Sequence, residues 1–207
     1  MRAKLVYEQI ENILRPKSEE EILSHLENLS PNELLLKSSK IGFLPGVGLA
    51  LENGADVHAI NDFALRWASI NGHKDVVEPL LKNGANVHAD DDYALRWASR
   101  RGHKDVVELL LKNGANVHAV DDAALQWASF YGQKDVVELL LKNGADVHAD
   151  DDYALCLASY NGHKNIIELL FKNRADVHGR DDLALRWASE NMIMLFVRQQ
   201  HMVIKML

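Results

Sequence analysis

Residues 61–90, 91–120, 121–150 and 151–180 are four copies of one 30-residue unit, aligned without a gap. A weaker copy over 31–60 keeps Leu35, Ser39, Gly42, Val47, Leu51, Asn53 and Gly54 in the same frame. A partial copy over 181–191, DDLALRWASEN, opens in register and then loses the pattern. A repeat of this length confines the chain to an array of small units, each contacting only its neighbours.

Within a unit the patterning is helical. In the copy over 91–120, Ala94, Leu95 and Ala98 put small and apolar side chains on one face of a first helix. Asp91 or Asp92 is placed to cap its start, and Gly102 to stop it. Val106, Val107, Leu110 and Leu111 form the stripe of a second helix, and Gly114 falls where a left-handed cap is expected. Helices this short are marginal alone, and the exposed stripes must be covered by the next unit. The fold class is therefore all-α, a solenoid of stacked helix-turn-helix units.

GHKDVVELLLKNGANVHA resembles the second helix and return loop of the ankyrin repeat, and YALRWAS sits where that family has its TPLHxAA helix. The resemblance runs from Pro31 to about Asn191. It implies a protein-recognition scaffold whose first-helix and loop positions line a concave binding face. The usual unit has about 33 residues, and the three missing here fall between Ala119 and Leu125, so shortened β-turn loops are expected. Tyr-Ala or Phe-Ala replaces Thr-Pro, removing a hydroxyl that braces the family's first helix. Short units of this kind also resemble arrays abundant in large DNA viruses.

The ends do not repeat. Residues 1–30 read as an N-terminal helical cap, with Ser18-Glu19-Glu20-Glu21 and Ser30-Pro31-Asn32-Glu33 as capping boxes. Residues 192–207 are apolar and read as a closing helix. Two positions break local rules. Pro79 stands where Leu109 stands one unit later, and Arg174 replaces a cap glycine. Both predict local softness.

Chemistry is harder to find. His58, His88, His118, His148 and His178 recur once per unit, as do His73, His103 and His163. Equivalent residues in stacked units form a ladder with steps of about 8–10 Å, whereas metal ligands must converge on one ion. They read as structural, and no metal or cofactor is expected. The aspartate pairs are read as helix caps. Asp62, Asp92 and Asp182 stand four residues before Arg66, Arg96 and Arg186, an ion-pair spacing. Arg100-Arg101 is left as an unpaired basic spot. Cys156, the only cysteine, has no catalytic motif around it. Trp67, Trp97, Trp127 and Trp187 read as packing. No enzymatic activity is expected.

The net charge of −7 argues against nucleic acid and anionic membranes as partners. One cysteine excludes an intrachain disulfide and fits a reducing compartment. A charged N-terminus and the lack of a long apolar run point to the cytosol, or to that of a host.

The copies differ from one another mainly near the first helix. The variable positions are Phe63, Tyr93, Ala123, Tyr153 and Leu183, the helix ends Ile70-Asn71, Arg100-Arg101, Phe130-Tyr131, Tyr160-Asn161 and Glu190-Asn191, and the loop tips Ile60, Asp90, Val120, Asp150 and Arg180. Tyrosine and arginine dominate interface hot spots. The expected partner-binding residues are Phe63, Ile70, Asn71, Tyr93, Arg100, Arg101, Phe130, Tyr131, Tyr153, Tyr160 and Asn161. The chain is expected to be a monomeric adaptor or inhibitor of a protein partner. The alternative is an assembly subunit that oligomerises through its apolar C-terminal segment.

Overall fold

Each unit exposes an apolar stripe that only a neighbour can cover, and a computed structural model shows how the stripes meet. The structure describes residues 29–190 and 194–205. The N-terminal segment and its Ser18 capping box lie outside them, as do Met192, Ile193 and Leu207.

Twelve α-helices are formed by the described residues. The first helices of the units are α1 (Pro31–Ile41), α3 (Ala59–Ile70), α5 (Ala89–Arg101), α7 (Ala119–Phe130), α9 (Ala149–Tyr160) and α11 (Gly179–Glu190). The second helices are α2 (Leu44–Glu52), α4 (Lys74–Lys82), α6 (Lys104–Lys112), α8 (Lys134–Lys142) and α10 (Lys164–Lys172), and α12 (Met194–Lys205) follows. No strand occurs among the described residues. First helices pack on first helices and second on second, so the stack has two layers.

The core runs continuously through the stack. Leu35, Leu65, Leu95, Leu125 and Leu155 of the first helices are fully buried, as are Leu80, Leu110, Leu140 and Leu170 of the second. Burying one such side chain is worth about 1.5–3 kcal/mol, and no unit achieves it alone. Alanines 64, 68, 94, 98, 124 and 128 are also buried. Their small size lets the first helices approach closely, while valine and leucine hold the second helices further apart. The stack therefore curves, with the first helices on its concave side.

Local signals set the boundaries. Ser30 and Glu33 form the reciprocal capping box, the Glu33 carboxylate accepting from the Ser30 N–H at 3.0 Å, with Pro31 opening α1. Gly114 ends the second helix in the left-handed region at φ +90°, and Arg174 is held there at φ +70°. α4 continues through Pro79. At the far end α12 packs against α10 and α11. It buries Val197 completely, whereas Met202 is exposed.

Where three residues are missing from the loop, the backbone does something the sequence reading did not foresee. The Ala119 N–H closes a short turn onto the Asn116 carbonyl at 3.2 Å. Val120, Asp121 and Asp122 then all adopt left-handed φ of 53–56°. The same three-residue left-handed turn recurs at 60–62, 90–92, 150–152 and 180–182. Such a conformation costs an L-residue about 1–2 kcal/mol, least for Asn and Asp. The second and third positions are Asn or Asp in every copy.

Candidate functional site

In four of the five copies the left-handed turn aims its last aspartate back into the stack, Asp182 being exposed. Asp62, Asp92, Asp122 and Asp152 are about 4% exposed. Asp92 accepts from the Asn116 N–H, 24 residues on, at 2.7 Å, and Asp122 from the Asp146 N–H at 2.8 Å. Nδ1 of His88 and of His118 lies 3.1–3.2 Å from the same carboxylates. These aspartates therefore staple one unit to the next, which corrects their reading as caps of their own helices.

The Asp–Arg pairs expected at a spacing of four are corrected at Arg66 and Arg96. Arg66 donates to the carbonyls of Asn61 and Ile60 at 2.9 Å, and Arg96 to those of Asp91 and Asp90 at 2.8 Å. Each guanidinium caps the free carbonyls of the left-handed turn, and Arg66 also pairs with Asp90 in the next unit. Gln126 does the same for Asp121 at 2.7 Å. Cys156 cannot donate in this way, and the brace comes instead from Arg180, whose Nε reaches the Asp150 carbonyl at 3.0 Å.

Anchored by these turns, the first helices present a row of rings along the concave face. Phe63 lies against Trp67, and Tyr93 stacks on Trp97, which meets Trp127 edge-on at 5.3 Å. Phe130 meets Tyr131 edge-on at 4.9 Å and stacks on Tyr160 at 6.4 Å. Between the units of α7 and α9 the row opens into a cleft of ≈ 320 Å³. Trp127, Phe130 and Leu157 form its apolar wall, and Arg100, Gln126, Tyr131 and Tyr153 bring polar groups to it. Ala123 is buried where other copies carry Phe63, Tyr93 or Tyr153, so no ring fills this place.

Arg100 is not the unpaired cation expected. Its guanidinium lies 4.4 Å from the Trp97 ring and 4.7 Å from the Tyr131 ring, and it donates to the Tyr131 hydroxyl at 2.6 Å. Arg101 is exposed beside it. Asn71 and Asn161 are exposed at helix ends, Asn71 donating to the Lys40 carbonyl and Asn161 to that of Leu157. Tyr131 and Tyr160 are the most open of the rings at 44% and 45%. Ile70 is the exception in the expected set, since at 6% exposure it is closed off from a partner.

The chain is matched over residues 34–121, 65–151 and 125–207 by the family model described as ankyrin repeats, three copies. It belongs to the ankyrin repeat family. No curated protein matches it.

In this ankyrin-repeat protein the second histidine series ties adjacent units together. Nε2 of His103 lies 3.0 Å from the Ile70 carbonyl, and that of His163 3.0 Å from the Phe130 carbonyl, while Gln133 makes a longer contact with Arg100 O. The His103 ring closes over Gly72, where an added Cβ would fall 2.5 Å from Nδ1. Burial lowers the pKa of His103 below its ordinary value. Among the described residues no three His, Cys, Asp or Glu side chains are grouped to hold a metal. Burial pushes the Cys156 thiol up to about 11, so it stays protonated and unreactive.

Gln126, Trp127 and Leu157 were missed as groove residues. Two of them left a trace, since Gln126 stands where other copies have arginine and Leu157 where they have tryptophan.

Proposed function

We propose that this ankyrin-repeat protein is a recognition module, an adaptor or inhibitor that holds a folded protein partner against its concave first-helix face. The observation that carries the reading is the coincidence of cleft and departure from the repeat. Gln126, Phe130, Tyr131 and Leu157 all differ from most of their counterparts, and all line the cleft. Scaffold positions that only pack have no reason to diverge in one place, whereas a binding site does. Open aromatic rings beside an arginine supply the side chains that dominate interface energetics.

The chain acts as a monomer in a reducing cytosol, a reading supported by its lone buried thiol. The described part of α12 turns Val197 and Phe196 inward, which favours recognition over assembly through that end. Phe130→Ala combined with Tyr160→Ala is expected to abolish crosslinked capture of the native partner while moving the melting temperature by less than about 3 °C. Undiminished capture by the double variant would remove this face as the binding surface.

A further inference from the structure

The cations on the concave face are not equivalent. Arg66 and Arg96 are tied to backbone carbonyls, and Arg180 to Asp150. Arg100 alone among these four gives its bond to a neutral phenol. A guanidinium carries five N–H donors in a fixed fork, a shape that matches a carboxylate. Stacking between Trp97 and Tyr131 restricts its rotamers before any ligand arrives, so less entropy is lost on binding. The Tyr131 hydroxyl, which accepts from Arg100, keeps its own proton to donate.

An apolar wall adjoins this donor pair, Trp127 lying 5.5 Å from the Arg100 guanidinium and Phe130 4.9 Å from Tyr131, in a cleft at the small end of ligand-pocket volumes, which run from about 300 to 1,000 Å³. That space suits one anchoring side chain. Resting on the recognition role proposed above, we infer that the cleft takes an acidic–apolar pair from the partner protein. A Glu or Asp carboxylate sits on Arg100 and Tyr131, and an adjoining large apolar side chain enters between Trp127, Phe130 and Leu157. The opposite edge of the groove fixes the polarity of the segment. Asp91, Asp121 and Asp151 are exposed at the turn tips, and Arg100 lies seven residues beyond Tyr93 along α5, about 10 Å from that edge. A carboxylate is attracted at the Arg100 edge and repelled at the turn edge, so the segment binds in one direction.

The test is a random peptide library displayed on phage and selected on the full chain, with counter-selection on Arg100→Gln. The selected peptides are then measured by fluorescence anisotropy. The expected motif is Asp or Glu next to a large apolar residue. Arg100→Gln and the Glu→Gln change in the peptide should each weaken binding at least tenfold, with no further loss when combined. Arg100→Glu should regain binding to a peptide in which that Glu is Arg. Arg100→Lys, which keeps the charge without the fork, should fall between wild type and Arg100→Gln. Melting temperatures of all variants within about 3 °C of wild type keep these losses attributable to the groove. Selection of basic peptides, or affinities indifferent to Arg100→Gln, overturns the carboxylate assignment. If such peptides are still lost with Phe130→Ala and Tyr160→Ala, the recognition face stands; if they are not, that reading falls too.

Discussion

α6 and α8 have the same nine residues, KDVVELLLK, whereas the stretches 89–101 and 119–131 that precede them differ at five points, one of them Asp90 against Val120 in the left-handed turn. Tyr93, Arg96, Arg100 and Arg101 in one unit become Ala123, Gln126, Phe130 and Tyr131 in the next. The spacing i, i+3, i+7, i+8 places all four on one helical face, the face that carries the cleft. The second helices α4, α6 and α8 are nearly identical because their residues meet equivalent neighbours from one unit to the next. The first-helix layer has two sides, and only the inner one is bound by that rule. Uniformity marks the shared packing, and divergence falls both on buried positions such as Ala123 and Gln126 and on open ones such as Tyr131.

The largest expected effect lies at the proline within the second-helix layer. α4 differs from α6 only in carrying Pro79 for Leu109. Pro79→Leu restores a helical hydrogen bond and an apolar contact, and should raise unfolding free energy by up to about 3 kcal/mol. Hydrogen exchange should be faster across 74–82 than across 104–112 in the native chain, and equal in the variant. Equal rates in the native chain would show that stacking already suppresses the defect. Next comes the staple. Asp122→Ala leaves the Asp146 N–H and His118 without their acceptor and should cost about 2 kcal/mol. Asp122→Asn, which keeps an acceptor oxygen and tolerance of the left-handed region, should lose less than half as much by chemical denaturation. Equal losses would mean that the charge, not the geometry, matters.

Arg174→Gly removes a side chain from a left-handed cap that Gly114 occupies in the corresponding place, and should gain about 1 kcal/mol. An unchanged denaturation midpoint would show the Arg174 side chain making up the difference.

The smallest effect compares His103 with Gln133. Burial lowers the His103 pKa from the ordinary 6.5, so the unfolded chain binds its proton more readily. Stability from this site is complete above the unfolded pKa and is lost as pH falls through the folded one. His103→Gln should flatten that part of the pH–stability curve below about pH 6.5, leaving the plateau near pH 8 in place. A curve as steep as wild type would assign the loss to other groups.

Much of this was legible in the sequence. The 30-residue period, the apolar stripes and the cap glycines were enough to place two helices per unit and to stack them. Tyr131, Tyr153 and Arg100 could be singled out because the copies disagree there. Ile70 shows the limit of that signal, since a varying position can also lie inside. The paired aspartates show another. From a linear reading they could only be caps or partners of arginines four residues on, because those are the neighbours that local geometry supplies.

Repetition of period, stripe and cap thus determined that this chain is a stack of helix pairs, since short helices with exposed stripes have no other way to bury them. Only the tertiary structure decided how the shortened loop closes, which aspartate reaches the next unit, and where Arg100 and the rings meet. Those contacts join residues 24 to 33 positions apart. They depend on the rise and rotation from one unit to the next, quantities set by side chains packing across an interface. The left-handed turn appears in the sequence only as a tolerance of Asn and Asp for positive φ, and the stack adds the N–H groups that hold the buried carboxylates of Asp62, Asp92, Asp122 and Asp152.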